Sequence, residues 1–277
     1  MNNINSNSAA VLITGASSGL GARTAQLLVD RGYRVAGAAR RVELVEKLPG
    51  VFPVRLDLTD DASIDEAVQS VEAHYGPVGI LINDAGYGEF GSVEETPIAQ
   101  ARRQFDVNVF GLAALTQRVL PSMREAGAGR IVNVSSLAGE FSSPLGGWYH
   151  ASKFALEALS DSLRAEVRPF GIDVTVVQPG PVRTAWHDDA MHTLEASSGD
   201  GPYREMAAAV ANYHRTTQDT AITSDVESVA TAIANAATTE RPRTRYRVGR
   251  GSATAVALSR LPDRMFDAMT RKQFGVR

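Results

Sequence analysis

A tyrosine and a lysine lie four residues apart near the start of a predicted helix, in the segment Tyr149–Lys153. Residues at i and i+4 lie one above the other on a helix face, so the phenol and the ammonium group are expected to lie side by side. A phenol is a poor base at neutral pH because its pKa is about 10. A cation about 4 Å away, at an effective dielectric of about 20, is worth roughly 4 kcal/mol, or about three pKa units. The pair therefore predicts general acid/base chemistry at Tyr149, although chance matches to this spacing are frequent.

A glycine-rich loop joins the first predicted strand, Ala9–Thr14, to a helix that ends near Arg31. Glycines let a pyrophosphate approach the backbone, and a helix start supplies free N–H groups and the positive end of a dipole. The spacing is Gly-x-x-x-Gly-x-Gly, which differs from the usual Gly-x-Gly-x-x-Gly of dinucleotide sites. An ordinary strand-to-helix loop is the alternative. The residues predicted to hold the phosphates are Gly15, Ser17, Ser18, Gly19, Leu20 and Gly21.

Two arginines, Arg40 and Arg41, follow the second predicted strand, Arg34–Ala39. An NAD site usually has an acid at the end of this strand to accept from the ribose 2′-hydroxyl, but this strand ends in alanine. A guanidinium group binds a phosphate through paired hydrogen bonds. The end of this strand therefore predicts NADP(H) rather than NAD(H), with two solvated surface arginines as the alternative.

Buried strands alternate with helices along the chain, a pattern typical of a parallel sheet covered on both faces. The fold class predicted is α/β: a single-domain, Rossmann-like, doubly wound parallel sheet of about seven strands with helices on both faces. The longest predicted helices are Pro97–Glu125 and Tyr149–Val167. Four regions are expected: a disordered polar tail over 1–8, a catalytic domain over 9–277, a lid at about 184–223 and a C-terminal extension at about 249–277.

Composition excludes several classes of function. The chain has 277 residues, a formal net charge of −3 and no cysteine, so disulfides, thiolate metal sites and thiol nucleophiles are excluded. The five histidines show no ligand spacing, and no metal site is predicted. The polar start does not resemble a signal peptide, and no apolar run approaches ~20 residues. We expect a cytoplasmic protein that binds no nucleic acid and no membrane. The basic stretch from Glu240 onward is expected to be a solvated edge of the fold, with a membrane or nucleic-acid patch as the alternative.

Five ordered motifs resemble those of the classical short-chain dehydrogenase/reductase family, over residues 9–248. They are the Thr14–Gly21 loop, the basic residue after the second strand, Asn83–Gly86, a serine thirteen residues before a Tyr-x-x-x-Lys pair, and Pro179–Thr184. A looser resemblance is to the 17-beta-hydroxysteroid and retinol dehydrogenase-type members, which carry a C-terminal extension. The second residue of Asn83–Gly86 departs from the family, since Asp84 replaces asparagine, and little effect is expected.

The resemblance implies a catalytic tetrad of Asn108, Ser136, Tyr149 and Lys153. Ser136 would donate to the substrate oxygen, and Ser135 is the less favoured candidate. Asn108, a poor helix former within a predicted helix, would hold a proton-relaying water. Further cofactor contacts implied by the family are Asp57, Leu58, Asn83, Ala85, Gly86, Tyr149, Lys153, Pro179, Gly180, Val182 and Thr184.

The resemblance also bears on the role of Asp57 and on the oligomeric state. Asp57 would contact the adenine, with a turn or helix cap as the alternative, and Thr59 or Asp60 could cap the next helix equally well. Many family members are dimers or tetramers, so a homodimer or homotetramer is expected.

These observations predict an oxidoreductase that moves a hydride between NADP(H) and a small-molecule carbonyl or secondary alcohol. Aromatic residues and methionines suggest an apolar pocket for a bulky substrate, or else packing of the lid or of a subunit contact; they are Phe141, Trp148, Trp186, Met191, Met206 and Tyr213. The alternative function is a catalytically silent NADP-binding sensor or scaffold, which usually lacks the tyrosine or the lysine. Two other enzyme classes match this chain less well. Nucleotide-sugar epimerases normally have a longer chain and a different glycine spacing. Enoyl-thioester reductases usually have a lysine more than four residues after the tyrosine.

Overall fold

Seven parallel strands form one sheet in the computed structural model, which describes residues 9–218 and 220–274. The order across the sheet is β3-β2-β1-β4-β5-β6-β7. The strands are β1 Ala10–Thr14, β2 Arg34–Ala39, β3 Val51–Arg55, β4 Val78–Asn83, β5 Gly129–Val134, β6 Ile172–Pro179 and β7 Arg245–Val248. The predicted fold class is confirmed. The polar tail expected over 1–8 lies outside the described residues.

Helices cover both faces of the sheet. They are α1 Gly19–Asp30, α2 Val42–Val45, α3 Asp61–Tyr75, α4 Ile98–Phe105, α5 Leu112–Ala126, α6 Gly147–Val167, α7 Trp186–Ser198, α8 Arg204–Thr217, α9 Val226–Thr238, α10 Ser252–Leu258 and α11 Asp263–Gln273. Leu28 of α1 and Ile233 of α9 are fully buried in one core layer. Leu115 of α5 and Ile64 of α3 lie in the layer on the opposite face. Central strands such as β1 and β4 are mostly apolar and almost completely buried, because both of their faces are covered.

Local residue chemistry sets several helix ends. Asp60 caps α3, because its side chain accepts a hydrogen bond from the Ala62 N–H at 3.0 Å. Asp60 thus has the capping role that was also considered for Asp57 and Thr59. Gly127 ends α5 in the left-handed conformation with φ 64°.

Two predicted elements differ from the structure. The helix expected over Pro97–Glu125 is α4 and α5 joined by a π-helical segment, Asp106–Gly111. The region expected to be an irregular lid contains α7 and α8, which pack together around Leu194 and Val210. The apolar residues of these helices are interrupted by polar and charged ones, so their helical period is weak in the sequence.

The C-terminal part folds back onto the domain. Arg245 of β7 forms ion pairs with Glu157 and Asp161 of α6, at 3.0 and 2.6 Å. Phe274, just after α11, packs its ring on that of Tyr213 with centroids 4.6 Å apart. Part of the predicted basic edge is therefore engaged in internal contacts. Among the described residues, no helix combines the length and the apolar character needed to cross a membrane.

Candidate active site

The predicted site residues lie where the strands of the sheet end. The strand order reverses between β1 and β4, and in open parallel sheets such a reversal leaves a ligand-binding crevice beyond the carboxyl ends of the strands. Six loops, those after β1 to β6, open at this edge. These loops and the residues that flank them include Gly15, Ser17, Ser18, Gly19, Leu20, Gly21, Arg40, Arg41, Asp57, Leu58, Asn83, Ala85, Gly86, Ser136, Pro179, Gly180, Val182 and Thr184.

The loop after β1 leaves the start of α1 open to an anion. Gly15 has φ +73°, and a Cβ on Gly21 would lie 2.5 Å from the Gly15 carbonyl oxygen, so both positions require glycine. Ser18 precedes α1 in an extended conformation, and its side chain makes no capping hydrogen bond. The first turn of α1 contains no acidic residue. These features fit a dinucleotide pyrophosphate, which would bind backbone N–H groups at the helix start.

Two arginine side chains and one aspartate lie at the adenosine end predicted for the crevice. Arg40 and Arg41 are exposed after β2. Asp57 accepts hydrogen bonds from the Thr59 N–H at 3.0 Å and the Thr59 hydroxyl at 2.8 Å. The backbone bond from Thr59 lowers the pKa of Asp57, and the charge of Arg40 adds to this effect. Asp57 therefore shapes a turn beside the arginines.

The loops after β4 and β6 close on the phosphate loop. Thr14 Oγ1 accepts from the Ala85 N–H at 3.0 Å, which ties the end of β1 to the loop after β4. The Thr184 methyl lies 3.9 Å from the position of a Cβ on Gly19, so the segment after β6 reaches the first glycine of α1. The predicted cofactor contacts of these loops are thus brought to one crevice.

Asn83 differs from the other predicted cofactor contacts. Its side chain is 2% exposed and donates to Asn133 Oδ1 at 2.9 Å and Thr116 Oγ1 at 3.3 Å. These partners belong to β5 and α5, so the amide ties elements together. The donor group of the Asn83 side chain is therefore used inside the fold.

Tyr149 and Ser136 meet at the end of β5. The Ser136 hydroxyl lies close enough to the phenol to favour its charged form, and Ser136 Oγ accepts from the Ala138 N–H at 3.1 Å. Tyr149 is 8% exposed, and this burial raises the pKa of its phenol to about 12, against the weaker opposing effect of the Ser136 hydroxyl. Ser135 turns the other way, with its hydroxyl 3.1 Å from the position of a Cβ on Gly139. The structure therefore pairs Ser136, not Ser135, with Tyr149.

Lys153 lies beside Tyr149 on the same helix face. Its Nζ donates to the Val134 carbonyl at 3.0 Å and lies 6.0 Å from the centroid of the Tyr149 ring. Burial lowers the pKa of Lys153 to about 8, because the ammonium form loses its hydration. In this conformation burial raises the pKa of the Tyr149 phenol, whereas a cation at about 4 Å is expected to lower it.

Asn108 lies in the π-helical segment, 1% exposed. Its Oδ1 accepts from the Tyr87 N–H at 3.1 Å, and its Nδ2 donates to the Tyr87 carbonyl at 2.9 Å and to Ser152 Oγ at 3.1 Å. A Cβ on Gly86 would lie 3.1 Å from Asn108 Oδ1 and 3.7 Å from Lys153 Nζ. The structure therefore brings Asn108, Gly86 and Lys153 together.

Sequence reasoning missed two features of the site. Phe90 packs its ring on Tyr149 with centroids 5.6 Å apart, and Trp186 of the predicted lid lies 5.2 Å from the same ring. Phe90 lies in an irregular loop, where no periodicity marks it as a pocket residue. Asp84 is an enclosed acid whose pKa burial raises to about 7. Its departure from asparagine was visible in the sequence, but its environment was not.

Comparisons with known proteins agree with this geometry. A family model described as short chain dehydrogenase matches residues 9–195. The chain is 35% identical over 263 residues to the Helicobacter pylori protein named "Probable short-chain type dehydrogenase/reductase VdlC", covering 94% of this chain and 96% of that protein. It is 32% identical over 277 residues to the NADPH-dependent 3-dehydrocapnine reductase of Ornithobacterium rhinotracheale, covering 94% and 95%. The structure of a short-chain dehydrogenase from Streptomyces avermitilis superposes with a TM-score of 0.78 at 33% identity, covering 97% of this chain and 96% of that one.

Proposed function

The chain belongs to the short-chain dehydrogenase/reductase family, and from that premise we propose that it moves a hydride between NADP(H) and the carbonyl or secondary alcohol of a bulky, apolar substrate. The observation that carries the proposal is the buried Tyr149 phenol, which lies beside the Ser136 hydroxyl at the crevice. Lys153 lies one turn further along the same helix. Family membership makes the chain an oxidoreductase; the cofactor preference, the substrate and the residue roles are the finer parts of this proposal.

NADP(H), when bound, supplies or accepts the hydride. The open start of α1 would hold its pyrophosphate, and Arg40 and Arg41 would hold its 2′-phosphate. No acid follows β2 directly to accept from a ribose hydroxyl in the NAD manner. The relative from Ornithobacterium rhinotracheale is named for its use of NADPH, which supports the same preference here.

The chain's own residues orient the substrate and move its proton. Ser136 holds the reacting oxygen beside Tyr149 and stabilises its developing charge. Tyr149, whose raised pKa keeps its phenol protonated at neutral pH, gives its proton to that oxygen during reduction. Lys153, which donates to the Val134 carbonyl, would hold the cofactor ribose, and Asn108 fixes the backbone of the loop after β4 at Tyr87.

An apolar pocket supports the choice of substrate. Tyr149 lies in a cluster of buried apolar residues from the lid, the loops and the C-terminal end, among them Phe90, Leu145, Met191, Leu194 and Phe274. Phe141 faces Phe266 of α11 with ring centroids 6.2 Å apart. Such a surface favours a hydrocarbon or aromatic body over a charged one.

A homodimer or homotetramer is our expectation for the assembly. Phe110 of the π-helical segment is 62% exposed, and Phe154 of α6 is 45% exposed. Two large apolar side chains on the elements that carry Asn108 and Lys153 support an interface between copies on this side of the molecule.

The test is turnover of reduced nicotinamide, followed by its absorbance, against a panel of ketones of graded size and polarity. We expect bulky apolar ketones to consume NADPH, with NADH giving at least about tenfold lower kcat/KM. Preference for small charged ketones would contradict the pocket, and equal use of NADH would contradict the cofactor assignment. NADPH binding with no turnover of any substrate would favour the silent sensor instead.

A further inference from the structure

A carboxylate stands at position 84, between two loops of the crevice. The backbone N–H of Asp84 donates to Thr14 Oγ1 at 3.1 Å, which fixes the residue at the end of β4. The Asp84 side chain turns toward the start of α1, where the Gly21 N–H donates to it. A Cβ on Gly21 would lie 2.9 Å from Asp84 Oδ2. The carboxylate thus lies directly against the helix, in a space that a side chain at position 21 would fill.

The positive charge of Lys153 favours the ionised form of the Asp84 carboxylate. The Lys153 ammonium lies 3.7 Å from the position of a Cβ on Gly86, two residues after Asp84 in the same loop. It also donates to the Val134 carbonyl of β5 and lies beside the Tyr149 ring of its own helix. Neither of these two groups carries a negative charge while Tyr149 is protonated.

Two carboxylates favour the charged form of Lys153, and they differ in their other partners. Asp84 has the larger effect and Glu157, on the next turn of α6, the smaller. Glu157 is bound by Arg245 at 3.0 Å and by the Gln178 amide at 2.9 Å, so its charge is already balanced. No arginine forms an ion pair with Asp84 in the part of the chain that the structure describes.

Burial acts against the charge of both groups. It raises the pKa of Asp84 to about 7 and lowers that of Lys153 to about 8, while each charge favours the other. Two such groups titrate as a pair, and the charge state of one sets that of its partner. The balance between ammonium and amine at Lys153 therefore depends on what stands at position 84.

We propose that Asp84 is a positioning residue for the acid/base pair, serving as the partly buried counter-charge that keeps the Lys153 ammonium group charged. Its catalytic consequence rests on the proposed function, because the ammonium is the form that offers three hydrogen-bond donors to a ribose and to the Val134 carbonyl. An asparagine at position 84 accepts the Gly21 N–H equally well but carries no charge. Lys153 then loses its proton at a lower pH.

Direct observation of Lys153 tests the proposal. The chain has only three lysines, Lys47, Lys153 and Lys272, so isotope labelling of the lysine ε-carbon gives three NMR signals, and Lys153→Met identifies the relevant one. In Asp84→Asn we expect the titration midpoint of Lys153 to fall by about half a pH unit or more, with the other two signals unchanged. Asp30→Asn, which removes an exposed carboxylate at the end of α1, should leave all three signals unchanged.

An unchanged Lys153 midpoint in folded Asp84→Asn would overturn the proposal. Asp84→Ser also lacks the charge, so it must lower the titration midpoint of Lys153 as well. It replaces Asp84→Asn in the experiment if the asparagine variant does not fold. These titrations need neither cofactor nor substrate, so they report on Asp84 independently of whether the proposed reaction occurs. In the active enzyme, the alkaline limb of kcat/KM should move to lower pH in Asp84→Asn. An equal loss at every pH would indicate a structural role only and would also overturn the proposal.

Discussion

Burial controls the charge of the titratable side chains in this site. It raises the pKa of Tyr149 to about 12 and of Asp84 to about 7, and it lowers that of Lys153 to about 8. In each case burial favours the neutral form of the side chain, because the charged form loses hydration when the crevice encloses it. At neutral pH the phenol is therefore a proton source. Opening the crevice to water would bring all three values back toward those of free side chains.

The positions of the catalytic residues could be predicted from the sequence, but the pKa values of their side chains could not. Spacing selected Tyr149 and Lys153 only together with the other family motifs, although an i,i+4 pair must share a helix face. The size of their interaction depends on where Lys153 Nζ points, and it points to the Val134 carbonyl. It depends equally on Phe90 and Trp186, which cover the phenol and come from distant parts of the chain.

The arginines after β2 should set the cofactor preference. We expect Arg40→Ala, and more strongly the double change with Arg41→Ala, to weaken NADPH binding by about tenfold or more, because hydrogen bonds to a charged phosphate contribute about 1.5–3 kcal/mol. NADH lacks that phosphate, and its affinity should hardly change. Fluorescence titration of both cofactors measures the difference.

Arg31→Ala is the matched control, since it removes a cation whose partner is Thr238, away from the crevice. Its NADPH affinity should equal that of the wild type. Equal losses for NADPH and NADH in Arg40→Ala would show that the arginine supports the fold instead of binding the phosphate.

At the scale of elements, the π-helical segment between α4 and α5 positions Asn108. A π-helical turn widens the helix by one residue, and such turns are frequent at functional sites. Here the segment directs the amide of Asn108 onto the backbone of Tyr87, where it satisfies both the N–H and the carbonyl. The loop after β4 is thereby held against α6, which carries the tyrosine and the lysine.

Asn108→Ala should destabilise the protein by about 2 kcal/mol, because the Tyr87 N–H loses its partner and the Tyr87 carbonyl keeps only the bond from Gln104 at 3.2 Å. Urea denaturation of the cofactor-free protein measures this change. Asn235→Ala, which replaces an exposed asparagine in α9, should alter the free energy of unfolding by less than about 0.5 kcal/mol. An Asn108→Ala variant as stable as the wild type would contradict the anchoring role.

Strands buried on both faces could be predicted from the sequence. The π-helical segment and the helices of the lid could not, because they depend on contacts with distant parts of the chain. Strands such as Ala10–Thr14 are buried apolar runs and could be predicted directly from the sequence. The break at Asp106 accompanies side-chain hydrogen bonds to a distant loop, which periodicity does not record. Helix α7 has exposed acids at Asp188 and Asp189 and buries its apolar residues against α8, so its pattern became clear only with its partner in place.

At the scale of the whole molecule, the histidines of the lid couple stability to pH. Burial lowers the pKa of His214 to about 4, and the nearby His187 and His150 add to the effect. The unfolded chain titrates this group at about 6.5, so between about pH 6.5 and about pH 4 the unfolded state binds a proton that the folded state does not. Folding stability is therefore lost as the pH falls through this range.

Replacing His214 with glutamine should reduce this acid sensitivity. Thermal unfolding followed by circular dichroism should show a smaller fall in Tm between about pH 7 and about pH 5 for His214→Gln than for the wild type. His192→Gln, which changes an exposed histidine on α7, should keep the wild-type fall. Equal falls in all three proteins would contradict this coupling, since the buried histidine would then have no part in it.

The measurement that bears most directly on the central claim compares Tyr149→Phe with the wild type in the NADPH-dependent reduction of the best apolar ketone. Phenylalanine keeps the ring that packs on Phe90 and Trp186 and removes only the hydroxyl. We predict a loss in kcat/KM of about 100-fold or more, the usual contribution of a general acid, with NADPH affinity and Tm nearly unchanged. A variant that still turns over at the wild-type rate would contradict the assignment of Tyr149 as the proton donor.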